Sequence, residues 1–223
     1  MKIMKGKLIV IEGTDASGKS TQFSMLCGNL EKTGVSFKKV VFPQYDKPSS
    51  ALIHMYLNGE FGTKPDDVNA YAASTFYAVD RYASFKKEWS GYYKSGGLIL
   101  CDRYTTSNAI HQASKLSGEE REKYLEWLFG FEYELMGLPR PDCVIFLDMP
   151  PKYAQMLLKN REGKTMDIHE KDAEYLKRCY DSSLNLCEKY GWVRIPCTES
   201  GEICGKELIQ EKILNAIKDV LNK

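Results

Sequence analysis

One run near the start of the chain constrains its fold more than any other: Gly13-Thr14-Asp15-Ala16-Ser17-Gly18-Lys19-Ser20. It follows the apolar stretch Lys7–Glu12 (KLIVIE) directly and opens a helical pattern at residue 19. Between a strand and a helix, G-x-x-x-x-G-K-S is a phosphate-binding loop. Its glycines let successive backbone N–H groups turn inward. With the N-terminus of the next helix they make a positive nest for a β-phosphate. Lys19 sets a compact cation on the β- and γ-phosphates, and the Ser20 hydroxyl can ligate Mg²⁺. The loop predicts a nucleoside triphosphate ligand and a chain that begins strand–loop–helix.

The rest of the chain continues that alternation. Residues 37–42 (FKKVVF), 98–101 (LILC), 143–147 (CVIFL) and 192–196 (WVRIP) read as further strands. The Val-, Ile- and Leu-rich ones with little polar alternation fit parallel strands buried on both faces. Helical patterns cover roughly 19–33, 49–58, 67–94, 106–136, 151–161, 168–190 and 205–221. Ser117-x-x-Glu120 reads as a capping box that divides 106–136 into two helices, and Pro151 suits the first turn of the next one. No repeat, low-complexity tract or Gly/Ser linker interrupts the series. The expected architecture is one α/β domain over 1–223: a three-layer α/β/α sandwich with a five-stranded parallel sheet, the P-loop NTPase fold. Ligands in such sheets sit beyond the C-terminal ends of the strands, so the residues that follow each strand carry the chemistry.

Charge narrows the partners. The 223 residues carry 31 Lys plus Arg against 30 Asp plus Glu, a net charge of +1, which argues against nucleic acid or an anionic membrane surface as partner. No apolar run approaches the roughly 20 residues that span a bilayer. Seven cysteines without C-x-x-C spacing fit reduced thiols in a cytoplasmic protein better than a disulfide frame or zinc site, and three scattered histidines favour no metal cluster.

Phosphate-binding loops serve switches as well as kinases. A GTP switch needs D-x-x-G after a strand, but here the pattern falls at Asp15–Gly18, inside the loop itself. Thr63-Lys64-Pro65-Asp66 matches the guanine-reading letters without a strand before it. Transfer to a second nucleotide fits better. The strand 98–101 leads into Asp102-Arg103-Tyr104, an acid able to hold Mg²⁺ beside a planar fork suited to phosphate. Tyr77 and Arg81 share a helix face, an aromatic ring to stack on a base one turn from a guanidinium. Asn108, His111 and Gln112 share another face just beyond Arg103.

The blocks IEGTDASGKSTQ (11–22), FPQY (42–45), FYAVDR (76–81), DRYTTSNAIHQ (102–112), LPRPDCVIFLDMPP (138–151) and NREGKTMDIHE (160–170) resemble, in order, the thymidylate kinase family of nucleoside-monophosphate kinases. The resemblance implies transfer of the ATP γ-phosphoryl to dTMP, with Mg²⁺, by a homodimer; kinases for other monophosphates or for a nucleoside, and a non-catalytic nucleotide binder, are the competing readings. It implies that residues 13–20 and Thr21 bind ATP. Asp15 faces the acceptor sugar and the transfer centre, Phe42 and Tyr45 line the monophosphate site, and Tyr77 stacks on thymine. Arg81 bonds the base edge or phosphate, Arg103 clamps the acceptor phosphate, and Asn108, His111 and Gln112 complete the pocket. A mobile lid at about 159–170 carries Arg161 and Lys164. Because positions 14–17 hold no arginine, those two lid cations supply the catalytic charge, as in the bacterial-type branch. Gln44 stands where some members have Arg, His111 where many have Tyr, and Tyr77 where Phe is more usual.

Overall fold

In a computed structural model of the protein, residues 5–159 and 167–222 are described. The main sheet holds β1 (Lys7–Gly13), β2 (Phe37–Val41), β3 (Leu98–Asp102), β4 (Cys143–Asp148) and β5 (Val193–Pro196), all parallel, in the order β2-β3-β1-β4-β5. It is flanked by helices, as expected. Central β1 explains the layering. Ile9 and Ile11 point into one core with Phe23, Leu26 and Ile213, while Leu8 and Val10 point into a second with Trp89, Tyr93 and Leu138. All four β1 side chains are essentially inaccessible, as period-2 alternation requires of a strand covered on both faces. Edge strand β2 instead exposes Lys39 and Val41 and buries Val40, which suits a strand covered on one side.

The helices are α1 (Lys19–Lys32), α2 (Ala51–Leu57), α3 (Ala70–Ser84), α4 (Ser90–Lys94), α5 (Thr105–His111), α6 (Gly118–Phe129), α7 (Pro151–Lys159), α8 (Ala173–Tyr190) and α9 (Lys206–Asn222). Three details differ from the sequence reading, two of them helix boundaries and one a cap. The pattern at 67–94 is not one regular helix, because a π-helical segment at Phe85–Trp89 separates α3 from α4. Residues 106–136 divide before Gly118 as expected, but Ser117 forms no side-chain capping bond; its place in the sequence marks the helix start without the capping-box contact. The helix expected from 168 begins only at Ala173. Asp167 accepts the backbone N–H groups of His169 and Glu170, which holds a turn, and Asp172 then caps α8 through Tyr175 N. A short antiparallel hairpin, β6 (Thr198–Glu199) with β7 (Glu202–Ile203), had no strand-length signal.

β1 lies between β3 and β4, with Ile11 level with Asp102. The chain therefore leaves β1 and β3 at the same edge of the sheet, where the strand order reverses and ligand crevices form. Thr63-Lys64-Pro65-Asp66 lies at a 3₁₀ turn between α2 and α3, away from any strand end. The seven cysteines are all free thiols. No helix among the described residues is long and apolar enough to cross a membrane.

Candidate active site

The phosphate loop links β1 to α1 with two residues in the left-handed region, Ala16 at φ 58° and Gly18 at φ 84°. Gly13 is required for another reason. A Cβ there would collide with the Ser17 hydroxyl, so only a hydrogen fits where the strand bends into the loop. The Lys19 ammonium lies inside the loop, donating to the carbonyl oxygens of Gly13 (2.9 Å) and Thr14 (3.1 Å). Burial, reinforced by the nearby Arg103 charge, draws its pKa from 10.5 down to about 8. Ser17 Oγ is buried with no partner among the described residues, whereas Ser20 and Thr21, in the first turn of α1, are exposed.

Beyond β3, Arg103 adopts φ 65°, a left-handed conformation that residues with a side chain take uncommonly. Its N–H donates to Ile11 O at 3.1 Å, and its guanidinium bonds Asp15 Oδ1 at 2.6 Å. Burial pushes the Asp15 carboxyl up, but the Arg103 charge, helped by Lys19, overcomes this and holds it well below the usual carboxylate range. Glu12 lies beneath, fully buried. It accepts from Tyr104 N, Thr106 Oγ1 (2.6 Å) and Ser107 Oγ (2.7 Å), and so fastens the segment after β3 to β1. Burial pushes its carboxyl pKa up.

A cleft of about 530 Å³, open solvent included, extends from this point, within the range of small-ligand sites. Every residue that the sequence reading assigned to an acceptor lines it: Asp15, Phe42, Tyr45, Tyr77, Arg81, Arg103, Asn108, His111 and Gln112. Asp167 and His169 line it too, from a segment the sequence reading had placed in a lid and not in the acceptor pocket. Residues 160–166, with the expected lid cations Arg161 and Lys164, lie outside the described residues. Asp80 holds the 42–45 loop in place by accepting from Gln44 N (2.8 Å) and Ser49 Oγ (2.6 Å).

Two side chains are committed more deeply than their sequence suggests. Arg81 forms a fork-to-fork pair with the wholly buried Glu132, at 2.7 Å through Nε and 2.6 Å through Nη2. Only part of its guanidinium is left for a ligand. Asn108 donates its amide to Ser74 O at 3.2 Å, tying α5 to α3. Gln112, by contrast, is 1% exposed with both amide atoms unpartnered among the described residues.

One wall of the cleft carries parallel imidazoles. His111 and His169 stack with centroids 5.9 Å apart and planes 9° apart. His111 Nε2 lies 3.1 Å from Arg103 Nη1, and His169 Nε2 lies 2.8 Å from the Tyr56 hydroxyl. Burial pushes both pKa values down, that of His169 to about 4, so both rings are neutral near pH 7.

Mg²⁺ takes one or two protein oxygens and completes its shell with water and phosphate. The exposed Ser20 hydroxyl and the Asp102 carboxylate, which makes no side-chain hydrogen bond among the described residues, fit that donor set. No group of three or more His, Cys, Asp or Glu among the described residues could hold a metal on its own.

The sequence profile described as Thymidylate kinase matches residues 11–208. The chain is 32% identical over 176 residues to the thymidylate kinase of Mycobacterium tuberculosis (strain ATCC 25618 / H37Rv), covering 77% of this chain and 81% of that protein. It is 28% identical over 207 residues to the thymidylate kinase of Plasmodium falciparum (isolate 3D7), covering 93% and 90%. Its fold is similar to that of a thymidylate kinase from Candida albicans, with a TM-score of 0.70 at 22% identity over 98% of this chain and 93% of that one. A phosphate loop facing a second, aromatic-walled cleft and a profile match over most of the length lead to one assignment: this chain belongs to the thymidylate kinase family.

Proposed function

We propose that the protein transfers the γ-phosphoryl group of ATP to dTMP, giving ADP and dTDP. One observation carries this reading beyond family membership: Asp15 belongs at once to the phosphate loop and to the acceptor cleft, where it is bonded to Arg103. Donor and acceptor sites therefore share a wall, as direct transfer between two nucleotides requires.

Two phosphate groups must approach in line against their mutual repulsion, so the chain's contribution is positioning and cationic charge. Residues 13–21 cradle the ATP phosphates, with Lys19 turning from its loop carbonyls to the β- and γ-oxygens. Arg103 holds the acceptor phosphate, with Phe42 and Tyr45 lining its site. Tyr77 stacks on thymine, and Arg81, Asn108, His111 and Gln112 surround the base and sugar. Arg161 and Lys164 bring lid cations to the transferred group. Mg²⁺ at Ser20 and Asp102, when bound, neutralises charge on the bridging phosphates.

The outward face of α3 presents Tyr71, Val79 and Tyr82, each at least 36% exposed and at helical spacing, which supports a homodimer formed through this face. A cytoplasmic location is part of this proposal. ADP release measured with dTMP, dUMP, UMP, dCMP and thymidine as acceptors tests the main reading. The highest kcat/KM belongs to dTMP; tight nucleotide binding with no ADP from any acceptor would overturn it.

A further inference from the structure

The donor and acceptor roles along one line of hydrogen bonds behind the cleft are assigned from donor chemistry and contact length. An ammonium can only donate. Lys115 Nζ lies 3.1 Å from the Tyr56 hydroxyl oxygen and 2.8 Å from Val68 O, so Tyr56 uses its oxygen to accept from Lys115. The Tyr56 hydrogen must go elsewhere. His169 Nε2 is 2.8 Å away, whereas Pro65 O is 3.4 Å away, and the shorter contact takes it. With the hydrogen assigned to that contact, His169 Nε2 is the acceptor, and in a neutral ring the proton sits on Nδ1. Burial keeps the ring neutral.

The partner imidazole is fixed the same way from the opposite end. Arg103 donates to His111 Nε2, so His111 also carries its proton on Nδ1. The two rings lie parallel, and the ladder of contacts runs Asp15–Arg103–His111–His169–Tyr56–Lys115. Tyr77 meets Tyr56 edge to face at 6.5 Å, so the ladder passes along the cleft from the phosphate end to the base end. His169 lines that cleft, and its Nδ1 has no hydrogen-bond partner among the described residues.

We infer that Lys115, acting through Tyr56, fixes His169 as an Nδ1–H donor that bonds an oxygen of the acceptor nucleotide. Lys115 and Tyr56 are positioning residues; His169 makes the contact. The inference rests on the proposed acceptor cleft and adds to it a device for choosing between two tautomers. Without the Lys115–Tyr56 line, nothing compels the Nδ1–H form, and histidine's ring in water prefers the proton on Nε2.

The test combines spectroscopy with kinetics on the full chain. Two-bond proton–nitrogen correlation spectra distinguish bare from protonated imidazole nitrogens, and with three histidines in the chain, His→Phe variants assign each ring. In the wild type, His169 shows a bare Nε2. In Lys115→Met and Tyr56→Phe it shifts towards a protonated Nε2, KM for dTMP rises about fivefold and kcat changes less than twofold. Lys115→Arg, which keeps a donor, restores both readouts. Tyr56→Phe preserves the Lys115–Val68 bond, so it separates the relay from local destabilisation. A protonated Nε2 in the wild type, or an unchanged tautomer and KM in Tyr56→Phe, overturns the inference while leaving the dTMP reading intact. Failure of the wild type to phosphorylate dTMP overturns that reading and the contact with acceptor, and the spectra still decide the tautomer.

Discussion

Arg81 and Glu132, 51 residues apart in sequence, form a two-pronged ion pair in which both side chains are closed to solvent. Thr105 adds a third bond to the same carboxylate at 2.7 Å. The pair joins α3 to the π-helical segment after α6, and Arg81 lines the cleft proposed for the acceptor. Removing one partner leaves a buried charge uncompensated, at a cost of about 3–5 kcal/mol. Glu132→Ala is expected to lower the melting temperature by roughly 10 °C, on the scale of a few degrees per kcal/mol for a chain of this size. A thermal melt within a degree or two of wild type contradicts this account of the pair.

Lys19→Ala is expected to abolish phosphoryl transfer while the fold remains, as seen by circular dichroism and a coupled ADP assay. The pH dependence has a definite sign. On the proposed reading Lys19 acts as a cation, and burial draws its pKa down to about 8, so the active form is lost as pH rises through that value. Accordingly, kcat/KM for ATP falls above about pH 8. With ATP bound, the phosphates favour the charged ammonium and shift the decline in kcat to higher pH.

Gly13→Ala places a methyl against Ser17 Oγ at the bend of the phosphate loop. The expected result is a rise of at least tenfold in the KM for ATP with the acceptor KM little changed. Steady-state kinetics with each substrate varied in turn measures this, and an unaltered ATP KM excludes the steric argument.

Arg103→Ala removes the partner of Asp15 and the donor to His111. The acceptor KM should rise by one to two orders of magnitude and the ATP KM by much less. The opposite pattern assigns Arg103 to the donor nucleotide. The loss also releases Asp15 from the field that keeps its carboxyl low, so its titration moves up towards ordinary aspartate values.

What could be read in advance follows from the range of each signal. β1, β3 and β4 are unbroken apolar runs, and the phosphate loop is contiguous, so both are legible along the chain. The residues proposed to bind the acceptor are scattered, yet each follows a strand or lies on a helix face, and the shared direction of parallel strands gathers them into one cleft. Partners such as Glu132, Glu12, Asp80 and His169 are different. Each is a lone polar residue whose role depends on a group far away in sequence, and nothing local distinguishes a buried Glu132 in GFEYEL from a solvated one. The π-helical segments at 85–89 and 130–135 leave the apolar spacing nearly helical, and so conceal the breaks. The hairpin strands of two residues each are too short to establish any period.

The pairing of Ile11 with Asp102 makes the sheet a ruler. The phosphate loop begins two residues after Ile11, and Arg103, proposed to hold the acceptor, comes one residue after Asp102, on neighbouring strands about 4.8 Å apart. Backbone hydrogen bonding thus fixes the spacing of the two strand ends from which the proposed donor and acceptor contacts project. On the proposed reading, a single molecule that tethers adenosine to thymidine through a string of phosphates would bind best at one length, the one that matches the span between the two loops. Varying the number of phosphates in such a tether would measure the reach of the reaction directly, as the length at which affinity peaks.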